Sequence, residues 1–235
     1  MVSMIESAEK GRGLYSFREV AHYLGVHSNT LRSWFYPGFG RKALLDPNIL
    51  KTDEDGAWLS FDDFLQAYAV KRLKDLGLKP PMVREAIAEA KQKFGLPYPL
   101  SVQGHLVYVD GGKRVIIHPP NEPHPVQLTG PGKRQRVLKP IVERYLDKVE
   151  YDDDGLANRF IVFTQTFGSV RHRIVMDPHL NFGEPTVEGT PYRTNTLRRA
   201  VDAEGSVEAV ARIYEVDESE VMIAMSVNVP HQIAA

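Results

Sequence analysis

SFREVAHYLGVHSNTLRSW, residues 16–34, reads as two short helices joined by a tight turn. Ser16 with Glu19 three positions on has the form of a capping box, which satisfies two free amides at a helix start. Val20, Ala21 and Leu24 recur at helical spacing and give that helix one apolar face. Gly25 stands where the turn demands positive φ, and Val26 follows as an apolar plug at the corner. Ser28 is the expected cap of the second helix, with Leu31 and Trp34 turned inward. That leaves His27, Asn29, Thr30, Arg32 and Ser33 for the outer face. Small polar residues and an arginine at the start of a second helix are what a recognition helix offers to base edges, so DNA binding is expected. Two helices around a glycine turn also occur as plain core packing. Here the periodicity, both caps and the turn residue agree.

Outward from that stretch, 235 residues suffice for one large or two to three small domains. With 43% hydrophobic and 25% charged residues, the composition is that of a globular protein able to form a core. The chain has no run of about 18 apolar residues, so no membrane partner is expected. The opening MVSMIESAEKGRG lacks the apolar centre of a signal peptide. The absence of cysteine removes disulfides, thiolate metal sites and a cysteine nucleophile, and a cytoplasmic location is expected. The net charge of −1 conceals an asymmetry. Residues 1–95 carry 14 Lys/Arg against 12 Asp/Glu, residues 96–150 carry 8 against 5, and residues 151–235 carry 7 against 13. Different partners are expected for the two ends.

Pro37-Gly38-Phe39-Gly40 stops the second helix, and Arg41 and Lys42 follow. Two β-like pieces, around Ile49–Thr52 and Ala57–Phe61, flank Asp53-Glu54-Asp55-Gly56, a hairpin signal placed where a winged helix-turn-helix carries its wing. Ser60, Asp62 and Asp63 offer caps for a helix to about Leu76, on which Leu65, Tyr68, Ala69, Arg72 and Leu76 keep a helical beat. Gly77 ends it, and Pro80-Pro81 opens another helix through about Phe94. Residues 14–94 resemble the DNA-binding domain of the MerR family. The likeness rests on Tyr15-Ser16, Glu19-Val20-Ala21, Leu24-Gly25-Val26, Ser28, Thr30-Leu31-Arg32, the later Leu73-Lys74-Asp75-Leu76-Gly77-Leu78 and Val83-Arg84-Glu85. The chain departs from the family at Phe35-Tyr36-Pro37-Gly38-Phe39, and no long coiled-coil helix with effector cysteines follows, so metal or redox sensing is not implied.

The middle, residues 95–170, reads as a small β-rich connector. Leu106–Val109, Asp110-Gly111-Gly112 and Lys113–Ile117 form a hairpin pattern. The segment from His118 to Pro125 is too proline-rich for a helix or an inner strand. A basic turn, Lys133-Arg134-Gln135-Arg136, precedes a short helix expected over Ile141–Val149, and a strand is expected over Arg159–Phe163. His118, Glu122 and His124 lack a well-spaced further ligand, so exposed loop residues are the better reading and no metal is expected.

In residues 171–228, Arg173–Met176 reads as a strand and Asp177-Pro178 as a turn. Thr194 or Asn195 would cap a helix ending at Glu204-Gly205. Ser206 would cap another, and Asp217 with Glu220 a last one with Val221, Ala224 and Met225 inward. A second helix-turn-helix-like unit of three helices is expected. The region resembles a small domain found in VapB-type antitoxins, through Ile174, Asp177-Pro178, Gly183-Glu184-Pro185-Thr186-Val187, Gly189-Thr190 and Gly205-Ser206-Val207-Glu208. Glu184 replaces a basic residue of that pattern and Pro191 stands where arginine is expected, with Arg193 close by.

The expected fold is therefore α+β: an N-terminal winged helix-turn-helix over 14–94, a central β-rich domain over 95–170 and a C-terminal three-helix domain over 171–228. Catalysis is not expected. Gly111-Gly112-Lys113 lacks the phosphate-loop spacing, metalloprotease and serine-hydrolase motifs are absent, and Asp152-Asp153-Asp154-Gly155 fails the remaining calcium-loop positions. No cofactor is implied. The VapB resemblance implies an antitoxin that represses its own operon and binds a PIN-like ribonuclease toxin, and the near-neutral charge favours a homodimer on DNA. A regulator with no toxin partner is the alternative. On operator DNA, Asn29, Thr30 and Arg32 would meet base edges, with Ser33 on the same face, while Ser28, Arg41 and Lys42 would hold phosphates. Two such modules would read half-sites ~34 Å apart. Against a toxin, Arg171, Arg173, Arg193, Arg198 and Arg199 are candidates to enter an acidic nuclease cleft. Alternatively, the acidic C-terminal part would mimic RNA against a basic groove.

Overall fold

In a computed structural model of the chain, the described residues are 15–46, 52–53, 56–95, 98, 106–110, 114–118, 126–130, 148–153 and 157–227. The chain divides into two units, one within residues 15–147 and 151–157, the other within 148–150 and 158–235 together with the N-terminus. Ile49–Lys51, Glu54-Asp55, Gly111–Lys113, Pro119–Pro125, Lys133–Arg136, Ile141–Asp147 and Asp154-Gly155, about which the sequence raises expectations, lie outside the described residues.

The first unit opens with β1 (Tyr15–Ser16) and α1 (Phe17–Leu24), and Ser16 and Glu19 do form a reciprocal capping box. Gly25 adopts the left-handed conformation at φ 63°. The amides of Gly25 and Val26 then return to His22 and Ala21 at 3.0 and 2.9 Å, the double closure of a Schellman motif. α2 spans Ser28–Phe35. Its N-cap is His27 rather than Ser28. The imidazole Nδ1 reaches the Asn29 amide at 3.2 Å, so capping is taken over one residue earlier and Ser28 enters the first turn. Leu31 and Trp34 are buried as their spacing predicts.

β2 (Thr52–Asp53) and β3 (Gly56–Leu59) form the hairpin, with Asp53 paired to Gly56, and β1 adds to the far edge of β3. Phe61 does not end a strand; it begins α3 (Phe61–Asp75) behind a Ser60–Asp63 capping box. α3 is buried nearly all round, through Phe61, Phe64, Leu65, Ala67, Tyr68, Ala69, Val70 and Leu73. The reason is position, since α1, β3 and α4 (Pro80–Phe94) all contact it. The single-faced beat expected from Leu65 to Leu76 is therefore too narrow, and Leu76 is only half-buried. Pro80 and Pro81 do open α4, whose core side carries Val83, Ala86, Ile87 and Ala90. β4 (Leu106–Asp110), β5 (Arg114–His118) and β6 (Val126–Gln127) form an antiparallel sheet of order β4-β5-β6.

The second unit is a sheet covered by three helices. β7 (Val149–Tyr151), β8 (Ala157–Phe167), β9 (Val170–Met176) and β10 (Thr186–Val187) lie in the order β10-β9-β8-β7. Val149 is thus strand, not the end of a helix. Both central strands outrun their expected limits, because β8 and β9 are arms of one long hairpin with Phe167 opposite Val170. The expected boundary at residue 170 falls within this hairpin.

α5 (Thr194–Glu204), α6 (Val207–Tyr214) and α7 (Glu218–Ser226) follow. Arg193, not Thr194 or Asn195, is the N-cap of α5, because the Thr194 hydroxyl is drawn to the Pro185 carbonyl at 3.1 Å. Ser206 caps α6, and Asp217 with Glu220 boxes α7. Ile174, Val187, Leu197, Val210, Val221, Ile223 and Ala224 form the core. α7 contacts β9 and β10 as well as α5 and α6, so Ile223 is buried alongside Val221 and Ala224. Met225, expected inward, is exposed. No helix of the described residues is long and apolar enough to cross a membrane.

Candidate functional site

The outer face of α2 carries His27, Asn29, Thr30, Arg32 and Ser33, all exposed, while Ser28 is half-buried. The His27 imidazole, through Nδ1, accepts the Asn29 amide at 3.2 Å as the cap of α2. The Ser33 hydroxyl donates to the Thr30 carbonyl at 2.7 Å and so turns its proton back into the helix. The Arg32 guanidinium carbon lies 4.8 Å from the Phe17 ring centroid, which orients a long cation on the α2 surface.

Arg41 and Lys42 are exposed on the following loop. That loop is tied to the end of α2. The amides of Leu44 and Leu45 both donate to the Trp34 carbonyl at 2.8 and 3.1 Å, the Arg41 amide donates to Gly38, and Arg84 Nη1 donates to the Lys42 carbonyl at 3.4 Å. Distant in sequence from Arg32, the two cations are thus carried on a loop folded back against its helix. Tyr36 is 41% exposed, and Phe39 between two glycines is wholly exposed. In the sequence Phe39 reads as part of the helix stop and Tyr36 as part of the departure from the MerR pattern, and neither spacing reveals the exposure.

Three of the five candidate arginines of the second unit, Arg173, Arg193 and Arg198, are engaged within it. Arg173 is held by carboxylates on two sides: Nε and Nη2 pair with Glu188, with Nε–Oε2 at 2.6 Å, and Nη1 pairs with Glu150. The hydrogen bond to Glu188 leads in holding its proton well above the ordinary arginine range. Arg159 extends the network, to Asp177 at 3.0 Å and to Glu188 at 3.7 Å. Arg193 pairs with Glu184 at 3.0 Å, and Arg198 Nη1 donates to the Val227 carbonyl at 2.6 Å. Arg171, opposite Thr166, and Arg199 on α5 are exposed. α7 presents a different chemistry from α2: its exposed positions include Glu218, Met222 and Met225, and the helix has no cation. Of His118, Glu122 and His124, the last two lie outside the described residues.

No family model matches the chain. A curated Mycobacterium tuberculosis protein named Putative antitoxin VapB45 is 25% identical to it over 226 residues, covering 90% of this chain and 92% of that protein. The X-ray crystal structure of Rv2018 from Mycobacterium tuberculosis superposes with a TM-score of 0.63 at 18% identity, over 90% of this chain and 96% of that one. The two chains share a fold along nearly their whole lengths. That fold is mixed α/β, with seven helices and several small sheets among the described residues.

Proposed function

We propose that this chain is an antitoxin of a toxin–antitoxin pair, cytoplasmic and homodimeric, acting by binding and not by catalysis. The observation that carries the reading is the similarity to Putative antitoxin VapB45, which runs through both units instead of stopping at one. In this reading the first unit is a MerR-like winged helix-turn-helix that binds the operator of its own operon. Asn29, Thr30 and Arg32 meet base edges, and Ser28, Arg41 and Lys42 hold phosphates. Support comes from the exposed polar face of α2 and from the loop that folds two more cations back against that helix.

The second unit is the part that engages a PIN-like ribonuclease. Residues 151–235 carry 13 acidic against 7 basic side chains, which disfavours nucleic acid and suits a basic protein groove. Arg171 and Arg199 are the arginines offered to such a partner. Arg173, Arg193 and Arg198 are engaged within their own unit and serve it structurally.

The DNA part is tested by gel shift on the segment upstream of the chain's own reading frame, in a salt series. Binding that weakens steeply with salt, with two protomers per site, is expected. Absence of binding at low salt would remove the operator role.

A further inference from the structure

The turn between β9 and β10 holds an aromatic residue in a conformation that costs the fold energy without serving it. Asn181 and Phe182 both have positive φ, 52° and 57°, and with Glu215 they are the non-glycine residues in that region among the described ones. Left-handed backbone brings Cβ against the following carbonyl, which asparagine tolerates and a bulky side chain does not. Asn181 has a local reason for its place: its amide donates to Thr186 Oγ1 and to the Pro191 carbonyl, both at 3.0 Å. The rest of the turn is equally tied. Thr186 Oγ1 donates to the Glu184 carbonyl at 2.9 Å, the Gly183 amide donates to Leu180, Glu184 pairs with Arg193, and Thr194 closes on Pro185. Thr186, Gly183 and Thr194 are buried. Phe182 stands on this clamped base 76% exposed, so its ring gains little by burial. Glycine or asparagine would serve the turn better. A strained, exposed aromatic on a rigid support is what an interface anchor requires, since little order remains to be lost on binding.

We propose that Phe182 is the anchor by which this chain docks into its protein partner, entering an apolar socket on a basic surface. The inference rests on the antitoxin reading above, the partner being the nuclease. The charge of the second unit favours protein over nucleic acid: the excess of 13 acidic over 7 basic side chains in residues 151–235 repels phosphate and complements the groove with which a ribonuclease holds RNA.

The test uses the full-length chain and the purified product of the adjacent gene, with affinity, RNA cleavage and melting temperature measured on one set of proteins. Phe182→Asn removes the ring while suiting the backbone. Its Tm should equal or exceed that of the parent, its affinity should fall by about 30-fold or more, and inhibition should fall with it. Phe182→Tyr should keep affinity within a few-fold. Parental affinity in Phe182→Asn, or a lowered Tm that accounts for lost binding, overturns the anchor. If the parent chain forms no complex, the antitoxin reading falls and the anchor falls with it.

Discussion

Arg32 illustrates how one side chain serves two links of the chain of cause. Its contact with Phe17 holds the guanidinium over the first residue of α1, and at an exposed position such a contact contributes only about 0.5–1 kcal/mol. Arg32→Ala should therefore change stability little and weaken binding of the upstream DNA by ~1–3 kcal/mol. Unchanged DNA affinity in that variant would take α2 out of the account. Tyr151 makes a second prediction at this scale. Burial pushes its phenol from the usual 10 up to about 12, so the folded chain keeps a proton that the unfolded chain releases. Stability should be unaffected below pH 10 and fall as pH rises from 10 to about 12. Denaturant titrations across that range, with Tyr151→Phe as comparison, should show a larger alkaline loss in the parent than in the variant.

At the level of elements, short-range chemistry and the apolar faces of α1 and α2 were legible, and packing among several elements was not. Ser16 with Glu19, Gly25, Ser206 and Asp217 with Glu220 each act within four residues, and each is found as read. The cap of α2 escaped because a histidine that accepts through Nδ1 looks in sequence like any surface histidine. The all-round burial of α3 escaped because it depends on three neighbours that periodicity does not reveal. Likewise the reach of β8 and β9 follows from their pairing with each other. Of the candidate site, the α2 face was readable, whereas the engagement of Arg173 by Glu150 and Glu188 depends on strands far apart in sequence. The capping box of α3 gives this scale its test. Ser60 and Asp63 are both buried, and the serine hydroxyl donates to Asp63 Oδ2 at 2.8 Å while accepting the Asp63 amide at 3.0 Å. Ser60→Ala should cost about 0.5–2 kcal/mol in equilibrium unfolding, toward the upper end because a buried carboxylate loses a donor. A loss near zero would mean that α3 is fixed by packing alone.

For the whole molecule, the division of charge and the division of structure run in parallel. The unit that carries α2 with Arg32, Arg41 and Lys42 comes from the part of the sequence with a basic excess, and the unit that carries Phe182 and α7 from the acidic part. Two partners of opposite charge are the economical reading, operator DNA for one and a basic nuclease surface for the other. The most direct test is to co-express the chain with the product of its adjacent gene, purify any complex, and measure RNA cleavage as the chain is titrated in. A stable complex is expected, in which cleavage falls to background at a fixed stoichiometry. A nuclease that cleaves RNA at full rate in the presence of excess chain would contradict the antitoxin reading.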